Sequence, residues 1–220
     1  DDDKSPLTPE ELTTIITDYL SSINHPIHTI TTTLASSAII KNICKKQSIN
    51  FHETAVGFKY FAPFFEKAKK SKQFCIGVES SGGFSISNHT FEKCGFLPIV
   101  LLICILETKK TSLKSLKKNI LKKYGIYHFV ESQYLFNKKN KKNIQNWLKT
   151  TSIKTVSTYF SNKVISINKT DGLKITCDNG WVLCRLSGTE PVARIYSETR
   201  CIKQSNELLK RYIKENSIPN

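Results

Sequence analysis

The sequence has little of what marks a membrane, disulfide-linked or zinc-binding protein. Its longest apolar stretch, residues 96–106, contains Pro98 and is far shorter than the roughly 20 residues that a membrane-spanning helix needs. The seven cysteines are an odd number and include no Cys-x-x-Cys pair, so neither a zinc site nor a disulfide framework is indicated. No signal peptide begins the sequence. We therefore expect a soluble, cytoplasmic protein with no membrane partner and reduced cysteines.

Acidic residues are also scarce, with 18 Asp and Glu against 33 Lys and Arg, a net charge of +15. Such an excess could serve a nucleic-acid surface, because neutralising phosphates releases counterions. The lysines, however, occur in scattered pairs such as Lys117-Lys118 and Lys122-Lys123, with few arginines and no recognised binding module between them. We expect a solvated lysine-rich surface that favours the approach of an anionic ligand, rather than a nucleic-acid partner.

What is present is sufficient for a folded core. With 220 residues, 39% of them hydrophobic, the chain can form one large or two ordinary domains. Thr8, Pro9 and Glu11 predict the start of an amphipathic helix, because they supply a capping residue, a proline in the first turn and a glutamate three positions after the cap. The closing helix is expected from about Ser205. No internal repeat is present.

The alternation of helical and strand patterns predicts an α/β protein of two domains. The first, residues 1–125, is expected to be a mixed-sheet α/β/α layered domain. The second, residues 126–220, is expected to be a linker plus a smaller α+β domain with an antiparallel sheet and helices, and the polar stretch 137–143 is the best linker candidate. Other predicted elements are strands at 26–30 and 74–78 and helices at 36–46, 96–107 and 113–124.

A candidate phosphate-binding segment lies at residues 184–191. Arg185 can donate two hydrogen bonds to phosphate oxygens, and Ser187 and Thr189 add hydroxyl and backbone N–H donors. Gly188 lets the backbone approach a ligand with no side chain in the way. Ser-Gly-Thr alone is also an ordinary turn composition, so the motif by itself leaves both interpretations open.

The residues before this segment predict where it lies. Residues 173–177 and 181–184 have strand character, and Asn179-Gly180 between them predicts a tight hairpin turn. The phosphate-binding segment would therefore follow directly from a strand end, a rigid position for ligand groups.

A second segment, residues 77–83, has the composition of a sugar-binding loop. Glu79 and Ser81 alternate ahead of Gly82-Gly83, so both side chains would point to the same side if the segment were extended. A carboxylate can accept hydrogen bonds from two vicinal hydroxyls, and glycines leave room for a sugar ring. A solvated loop acid is the alternative for Glu79.

These two segments, with two others, resemble the α-D-phosphohexomutases, which include phosphoglucomutases and phosphomannomutases. Four matches occur in the order found in that family. They are the domain-three loop at 54–61, the sugar-binding loop at 77–83, a His-x-x-Glu-Lys-Asp-Gly segment at 89–95, and the C-terminal phosphate loop at 185–194. In the third of these, Cys94 stands where the family has Asp. The similarity runs through nearly all of the chain.

The resemblance implies roles for particular residues. Glu79, Ser81, Lys59 and Gly57 would contact the sugar phosphate, and Lys93 and His89 are possible acid/base groups. The phosphate loop would bind through the residues Arg185, Ser187, Gly188, Thr189 and Arg194. Each of three residues also has a plainer interpretation: Lys93 as an ordinary lysine at the entry to a helix, Lys59 as a side chain that projects outward from a strand, and His89 as a turn residue that bonds its own backbone.

Val56 and Phe58 occupy a loop that helps to discriminate sugars in the family. The Ser-Ser-Gly-Gly form at 80–83 resembles members that act on glucose or mannose phosphates more than the glucosamine-specific branch, and the choice between glucose and mannose stays open.

The resemblance covers only the second half of such an enzyme. The family's phosphorylated serine, in a Ser-His motif, and its Asp-Gly-Asp-x-Asp-Arg magnesium loop are both missing from this sequence. The resemblance implies that Mg²⁺ is bound outside this chain and that hexose 1,6-bisphosphate is the activator and intermediate. It also implies that the N-terminal half of the enzyme is a partner. Residues 1–12 resemble the segment that follows the metal loop, although a tag remnant is the rival origin for Asp1 to Lys4.

Three functions are therefore compared. The first is the substrate-binding half of a phosphohexomutase, inactive alone; the second is a non-catalytic sugar-phosphate-binding module; the third is a basic nucleic-acid binder. Only the third predicts steep salt dependence on generic DNA or RNA and indifference to Arg185.

Overall fold

The structure is a computed structural model that describes residues 6–136, 138–158 and 163–215. The described residues form two compact units, divided between Ile126 and Tyr127. Each unit has its own sheet and its own core. Within the described part of the chain, no helix combines the length and the apolar character needed to cross a membrane.

The first unit is built on a mixed four-stranded sheet. Its strands are β1 (Thr29–Thr33), β2 (Asn50–Thr54), β3 (Cys75–Val78) and β4 (Phe84–Ile86), in the order β2-β1-β3-β4. The first three strands are parallel, and β4 runs antiparallel to β3. The helices are α1 (Pro9–Ser22), α2 (Ala38–Lys46), α3 (Ala62–Lys70), α4 (Phe96–Lys109) and α5 (Leu113–Tyr124), with a 3₁₀ turn at Phe58–Phe61.

The helices cover the sheet because the crossovers take opposite directions. The chain passes from β1 to β2 on one side of β1, and then from β2 back across β1 to β3, so right-handed connections place α2 and α3 on opposite faces. Helix α1 packs against α2, α4 and α5. The predicted α/β/α layered fold is therefore confirmed.

The start of α1 shows how local sequence sets the fold. The Thr8 hydroxyl accepts a hydrogen bond from the Glu11 N–H at 3.1 Å, and the Glu11 carboxylate accepts one from the Thr8 N–H at 2.9 Å. This reciprocal capping box satisfies two N–H groups that the helix itself leaves without partners. Ile15 and Ile16, which are almost completely buried, then bring the apolar face of α1 into the core.

The second unit has a five-stranded antiparallel sheet in the order β5-β9-β8-β7-β6. Its strands are β5 (His128–Leu135), β6 (Val164–Asn168), β7 (Leu173–Cys177), β8 (Gly180–Leu186) and β9 (Val192–Thr199). Its helices are α6 (Lys138–Thr150), α7 (Ile153–Ser157) and α8 (Ile202–Glu215). One sheet face packs with α6 and α8 in a core that includes Ile175, Val182, Ile195, Leu148 and Tyr212. The predicted α+β domain with an antiparallel sheet is confirmed.

Several local predictions were wrong. The stretch 137–143, predicted as a linker, is helical from Lys138 onward, because Ile144 and Leu148 recur at helical spacing and pack into the core; residue 137 lies outside the described residues. The strand predicted at 26–30 forms at Thr29–Thr33, where the backbone pairs with both β2 and β3. Helix α2 begins at Ala38, capped by the hydroxyl of Ser37.

The predicted hairpin is present, but its turn is shifted by one residue. Cys177 pairs with Gly180, so the turn residues are Asp178 and Asn179 and Gly180 already belongs to β8. Gly180 is needed there for a different reason: a β-carbon on it would lie 2.0 Å from the Glu198 carbonyl oxygen. The glycine therefore allows close approach of β9 rather than forming the turn.

Candidate functional site

The segment 79–83 is a tight turn between β3 and β4. The Gly82 N–H donates to the Glu79 carbonyl at 3.0 Å, and the Glu79 N–H donates to the Gly83 carbonyl at 2.8 Å. Gly82 has φ +97°, a conformation that favours glycine. The segment is therefore not extended, and the condition under which Glu79 and Ser81 would point to the same side is not met: Glu79 is buried and Ser81 is exposed.

Glu79 is unusual among the charged residues of the first unit. It is only 5% exposed, yet its carboxylate has no hydrogen-bond or ion-pair partner within the described ranges. A β-carbon on Gly83 would lie 2.7 Å from its Oε2 atom, so the turn holds a glycine directly beside the carboxylate. Glu79 is therefore held in a fixed place by the turn while its carboxylate remains free to accept hydrogen bonds, which makes this position a candidate for ligand binding.

The domain-three loop lies against this turn. A β-carbon on Gly83 would lie 3.1 Å from Cδ2 of Phe58, the first residue of the 3₁₀ turn. Phe58 is buried and packs edge-to-face on Phe61, with ring centroids 5.0 Å apart. Gly57, with φ +137°, permits the bend before it. Lys59 is exposed, with its ammonium 5.2 Å from the Tyr60 ring centroid, and does not project from a strand.

The third family segment, 89–95, is held to the same region by backbone hydrogen bonds and by aromatic packing. The Cys94 N–H donates to the Phe84 carbonyl at 2.8 Å, next to Gly83. Phe91 packs on Phe65, with ring centroids 5.8 Å apart, in the aromatic cluster that also contains Phe58 and Phe61. The structure thus brings together the three segments that carry the predicted site residues of the first unit.

His89 and Lys93 are both exposed on this loop. The His89 N–H donates to the Ile86 carbonyl at 3.1 Å, which fixes the start of the loop against β4. Cys94, in the position where the family has Asp, is only partly buried. Both predicted acid/base side chains are accessible to a ligand.

The candidate phosphate-binding segment of the second unit forms the loop between β8 and β9. The Ser187 N–H donates to the Val192 carbonyl at 2.9 Å and closes the loop. The Ser187 hydroxyl accepts from the Glu190 N–H at 3.2 Å and from the Thr189 N–H at 3.4 Å. A β-carbon on Gly188 would meet no atom within 4 Å. The loop borders an open cavity of about 280 Å³ that is also lined by Phe136 and Lys141.

Arg185 is positioned for this loop by a partner that sequence reasoning missed. Its Nε donates to Asp171 Oδ2 at 3.0 Å, and the arginine side chain is 14% exposed. Gly172, with φ +84°, makes the bend beside Asp171 possible, and a β-carbon on it would lie 2.1 Å from the Cys184 carbonyl oxygen. The turn dipeptide Asp171-Gly172 ahead of a strand was the signal that could have revealed it.

Arg194 is on the same side of the sheet as Arg185. It forms ion pairs with Glu190 at 2.8 Å and with Glu131 at 3.4 Å. The hydrogen bond to Glu190 raises the pKa of the Arg194 guanidinium further above its ordinary value, so this group is charged at any physiological pH. Glu190 belongs to the predicted loop sequence, and its role as a partner of Arg194 was not predicted.

The described residues include no group of three or more His, Cys, Asp or Glu side chains that could hold a metal ion. The donor set that Mg²⁺ prefers, several carboxylate and carbonyl oxygens, is thus not assembled in this part of the chain. No catalytic step can be derived through a metal held by these residues.

An α/β/α domain followed by an α+β domain, with these loops at strand ends, defines the class of protein. Residues 8–124 match the family model of the phosphoglucomutase/phosphomannomutase α/β/α domain III, and residues 137–215 match the model of the C-terminal domain of the same family. The first match alone covers more than half of the chain. The chain belongs to the phosphoglucomutase/phosphomannomutase family.

Curated relatives and solved structures agree with this assignment. A phosphoglucomutase/phosphomannomutase of Thermococcus kodakarensis is 28% identical over 185 residues, which are 84% of this chain and 37% of the relative. A phosphomannomutase of Mycoplasma genitalium is 27% identical over 82% of this chain and 35% of its own length. The Paramecium phosphoglucomutase parafusin, in its open form, has the same fold over 96% of this chain and 41% of its own, with a TM-score of 0.68 and 17% identity. The chain thus spans well under half the length of these relatives.

Proposed function

We propose that this chain is the substrate-binding half of a phosphohexomutase that interconverts the 1-phosphate and 6-phosphate of glucose or mannose. The observation that carries the proposal is the carboxylate of Glu79, a residue only 5% exposed, which has no partner in the described residues and lies beside a glycine at the end of β3. The fold does not need this charge, whereas a sugar with vicinal hydroxyls would supply the missing hydrogen bonds.

The first unit would hold the sugar ring. Glu79 would accept hydrogen bonds from two hydroxyls, and the exposed Ser81 would donate or accept one more. Gly57 and Lys59 lie on the loop that contacts Gly83 through Phe58, and in this proposal Lys59 would donate to a phosphate or hydroxyl oxygen of the ligand.

The second unit would hold the phosphate that is not reacting. Arg185, Ser187 and Thr189 would donate hydrogen bonds to its oxygens, and Gly188 would leave the approach open. Arg194 would add a second positive charge beside Arg185. Each set of contacts would position the substrate for the reaction, so losing either set would lower turnover as well as affinity.

The phosphoryl transfer itself would use groups outside this chain. A phosphoserine in the preceding half would give its phosphoryl group to the hexose monophosphate, the hexose 1,6-bisphosphate would turn end for end, and the serine would take back the other phosphoryl group. Bound Mg²⁺, in the family's separate metal loop, supplies charge neutralisation for this transfer. A mutase of Aspergillus fumigatus has been solved in complex with glucose 1,6-bisphosphate.

Within this chain, Lys93 and His89 would handle the proton of the attacking hydroxyl. Both side chains are exposed on the loop that Cys94 fixes to β4, so they can approach a bound sugar. Cys94 in place of the family's Asp removes one carboxylate that could orient Lys93, while Glu92 remains in the same loop. The arrangement of acid and base would therefore differ in this chain from the family pattern.

Two measurements test the proposal. Isothermal titration calorimetry with glucose 1-phosphate and mannose 1-phosphate should show binding to this chain, and incubation with glucose 1-phosphate should give no glucose 6-phosphate. Turnover by the chain alone would contradict the proposal that phosphoryl transfer needs groups outside this chain. If the sequence encoded upstream of Asp1 lacks the serine and metal motifs, a non-catalytic sugar-phosphate-binding module replaces the mutase half.

A further inference from the structure

Helix α4 has an exposed apolar face on the first unit. Phe96, Ile99, Val100 and Ile103 are 82%, 53%, 54% and 59% exposed, and their spacing places them along one side of the helix. We call these four residues the α4 stripe. Exposed apolar side chains are normal singly, but a contiguous row of four marks an interaction surface.

The opposite side of α4 is already used by the fold. Pro98 and Ile105 are buried, and α4 packs against α1 and β4. The helix is thus apolar on both its packed and its exposed sides, a pattern typical of a helix buried between two layers. In the described residues, α1 and β4 form the layer on one side of α4, and no layer covers the four stripe residues on the other side.

We propose that the α4 stripe is the docking surface for the half of the enzyme that precedes this chain, an inference that rests on the proposed function. The matched family models are domain III and the C-terminal domain, and the curated relatives above are more than twice as long as the region they share with this chain. Domains that come before domain III in the family would therefore precede α1.

The position at which the chain enters the first unit supports this occupant. Glu10, in the first turn of α1, accepts a hydrogen bond at 3.1 Å from the N–H of Ser37, which follows the carboxyl end of β1. Helix α1 therefore begins at the carboxyl edge of the parallel strands. A domain connected to the start of α1 is tethered at this edge.

Helix α4 begins at the same edge. The Cys94 N–H is bonded to the Phe84 carbonyl, just after the turn that holds Glu79, and α4 starts two residues later with Phe96. At their other ends α1 and α4 also lie together, because Lys109 Nζ is 3.3 Å from the Ser22 hydroxyl. A preceding domain is thus tethered where the stripe begins.

Docking on the stripe would also complete the site. Phe96 directly follows the 89–95 loop that carries His89 and Lys93. A partner packed on Phe96 and Ile99 would place its own groups beside this loop and beside Glu79. The stripe would therefore bring the phosphoserine half to the substrate-holding half.

Two other occupants fit the surface less well. A helix that lies on a membrane has a polar face rich in Lys and Arg, and the cations of α4 are confined to its last turn, at Lys109. A second copy of this chain would bury the stripe but would bring no phosphorylated serine to the site. Both occupants remain outcomes of the test.

The test compares two double variants of this chain. Ile99→Lys with Ile103→Lys introduces two charges into the stripe, and Ile165→Lys with Ile202→Lys does so at similarly exposed isoleucines of the second unit, 58% and 48% exposed. Each is titrated by calorimetry with the preceding two domains, produced as a separate polypeptide. We expect the stripe variant to bind at least about tenfold more weakly and the control variant to bind like the unaltered chain.

Hydrogen exchange on the unaltered chain gives a second measurement that does not depend on how the variants fold. Addition of the preceding domains should slow exchange in α4 and leave α8 unchanged. Unchanged exchange in α4, or equal affinity for both double variants, would overturn the proposal. So would a dimer of this chain, seen by light scattering, that the stripe variant converts to monomers, or liposome binding that the stripe variant abolishes.

The test of docking on the α4 stripe can fail independently of the test of phosphosugar binding. The stripe variant changes no residue assigned to the sugar or the phosphate, so it should bind glucose 1-phosphate as the unaltered chain does. Normal phosphosugar binding with no effect on docking would reject the stripe alone. Loss of phosphosugar binding by the unaltered chain would instead reject the proposed function.

Discussion

Arg185 on β8 lies directly opposite Arg194 on β9, so two positive side chains extend from the same face of the sheet beside the 187–191 loop. Like charges in directly opposed positions destabilise a sheet unless other groups compensate them. Here Asp171 compensates Arg185, and Glu190 and Glu131 compensate Arg194. The fold therefore maintains a pair of cations where a phosphate is proposed to bind.

Replacing Arg185 with alanine should weaken phosphosugar binding about ten- to a hundredfold, because charge-assisted hydrogen bonds contribute about 1.5–3 kcal/mol. Calorimetry with glucose 1-phosphate measures the effect. Arg200→Ala is the matched control, since Arg200 stacks on Tyr127 at 4.1 Å and is not assigned to the ligand. Equal affinities for the two variants would remove Arg185 from the phosphate site.

Glu79→Gln should leave the stability of the fold unchanged and make the protein a poorer binder. The Glu79 carboxylate has no partner in the described residues whose loss would destabilise the fold, whereas sugar binding should fall by about tenfold or more because a charge-assisted hydrogen bond is lost. Urea denaturation and calorimetry measure the two effects.

Glu10→Gln provides the contrast. Glu10 is as buried as Glu79, at 4% exposed, but it accepts a hydrogen bond from the Ser37 N–H and lies in the first turn of α1. Its replacement should lower the free energy of unfolding by about 1 kcal/mol and leave sugar binding unchanged. If Glu79→Gln also destabilised the protein, Glu79 would have a structural partner and the argument for a ligand would fail.

Gly188→Ala should affect binding but not folding. A β-carbon at this position meets no atom within 4 Å, and the backbone is not in the left-handed region, so the melting temperature should stay the same. A ligand that approaches the loop backbone would meet the new methyl group, and phosphosugar affinity should drop.

Gly180→Ala is the opposite case within the same unit. Its β-carbon would lie 2.0 Å from the Glu198 carbonyl oxygen, so β8 and β9 would have to move apart. Thermal denaturation should show a clear loss of stability for Gly180→Ala. An equal loss for Gly188→Ala would mean that Gly188 is required by the fold, and its assignment to the ligand would be withdrawn.

The buried cysteines predict how stability depends on alkaline pH. Burial raises the pKa of the thiols of Cys44, Cys75 and Cys184 to about 12 from the ordinary 9.0. The unfolded chain therefore releases these protons first, and the free energy of unfolding should be constant below about pH 9 and fall between about pH 9 and pH 12. Urea denaturation at successive pH values measures this decrease.

Alkylation identifies the groups responsible. At pH 8 iodoacetamide should modify the exposed Cys104 and Cys201 rapidly, and Cys44, Cys75 and Cys184 only at the rate of unfolding. Replacement of Cys44 by alanine should make the alkaline decrease shallower. Rapid modification of Cys44 in the folded protein would contradict its burial.

Much of the fold could be predicted from local sequence because short-range interactions determine it. The capping box of Thr8 and Glu11 and the apolar spacing of α1 all lie within one helix. The predicted start of this helix is confirmed. The linker prediction at 137–143 failed because its lysines conceal a helix whose core residues, Ile144 and Leu148, come only in the following turns. The polar residues 137–143 taken alone do not show the apolar spacing that predicts a helix.

The candidate site, like the fold, has some features that local sequence determines and others that depend on tertiary packing. The residue types of the sugar and phosphate loops, and the family that they resemble, were determined by the sequence alone, because a glycine, a carboxylate or an arginine carries its chemistry wherever the chain places it. Only the tertiary structure decided that Glu79 is buried while Ser81 is exposed, that Asp171 pairs with Arg185, and that an aromatic cluster joins three separate loops of the first unit. Those contacts join residues far apart in the sequence, and their geometry depends on how strands and helices pack rather than on the pattern of any one segment.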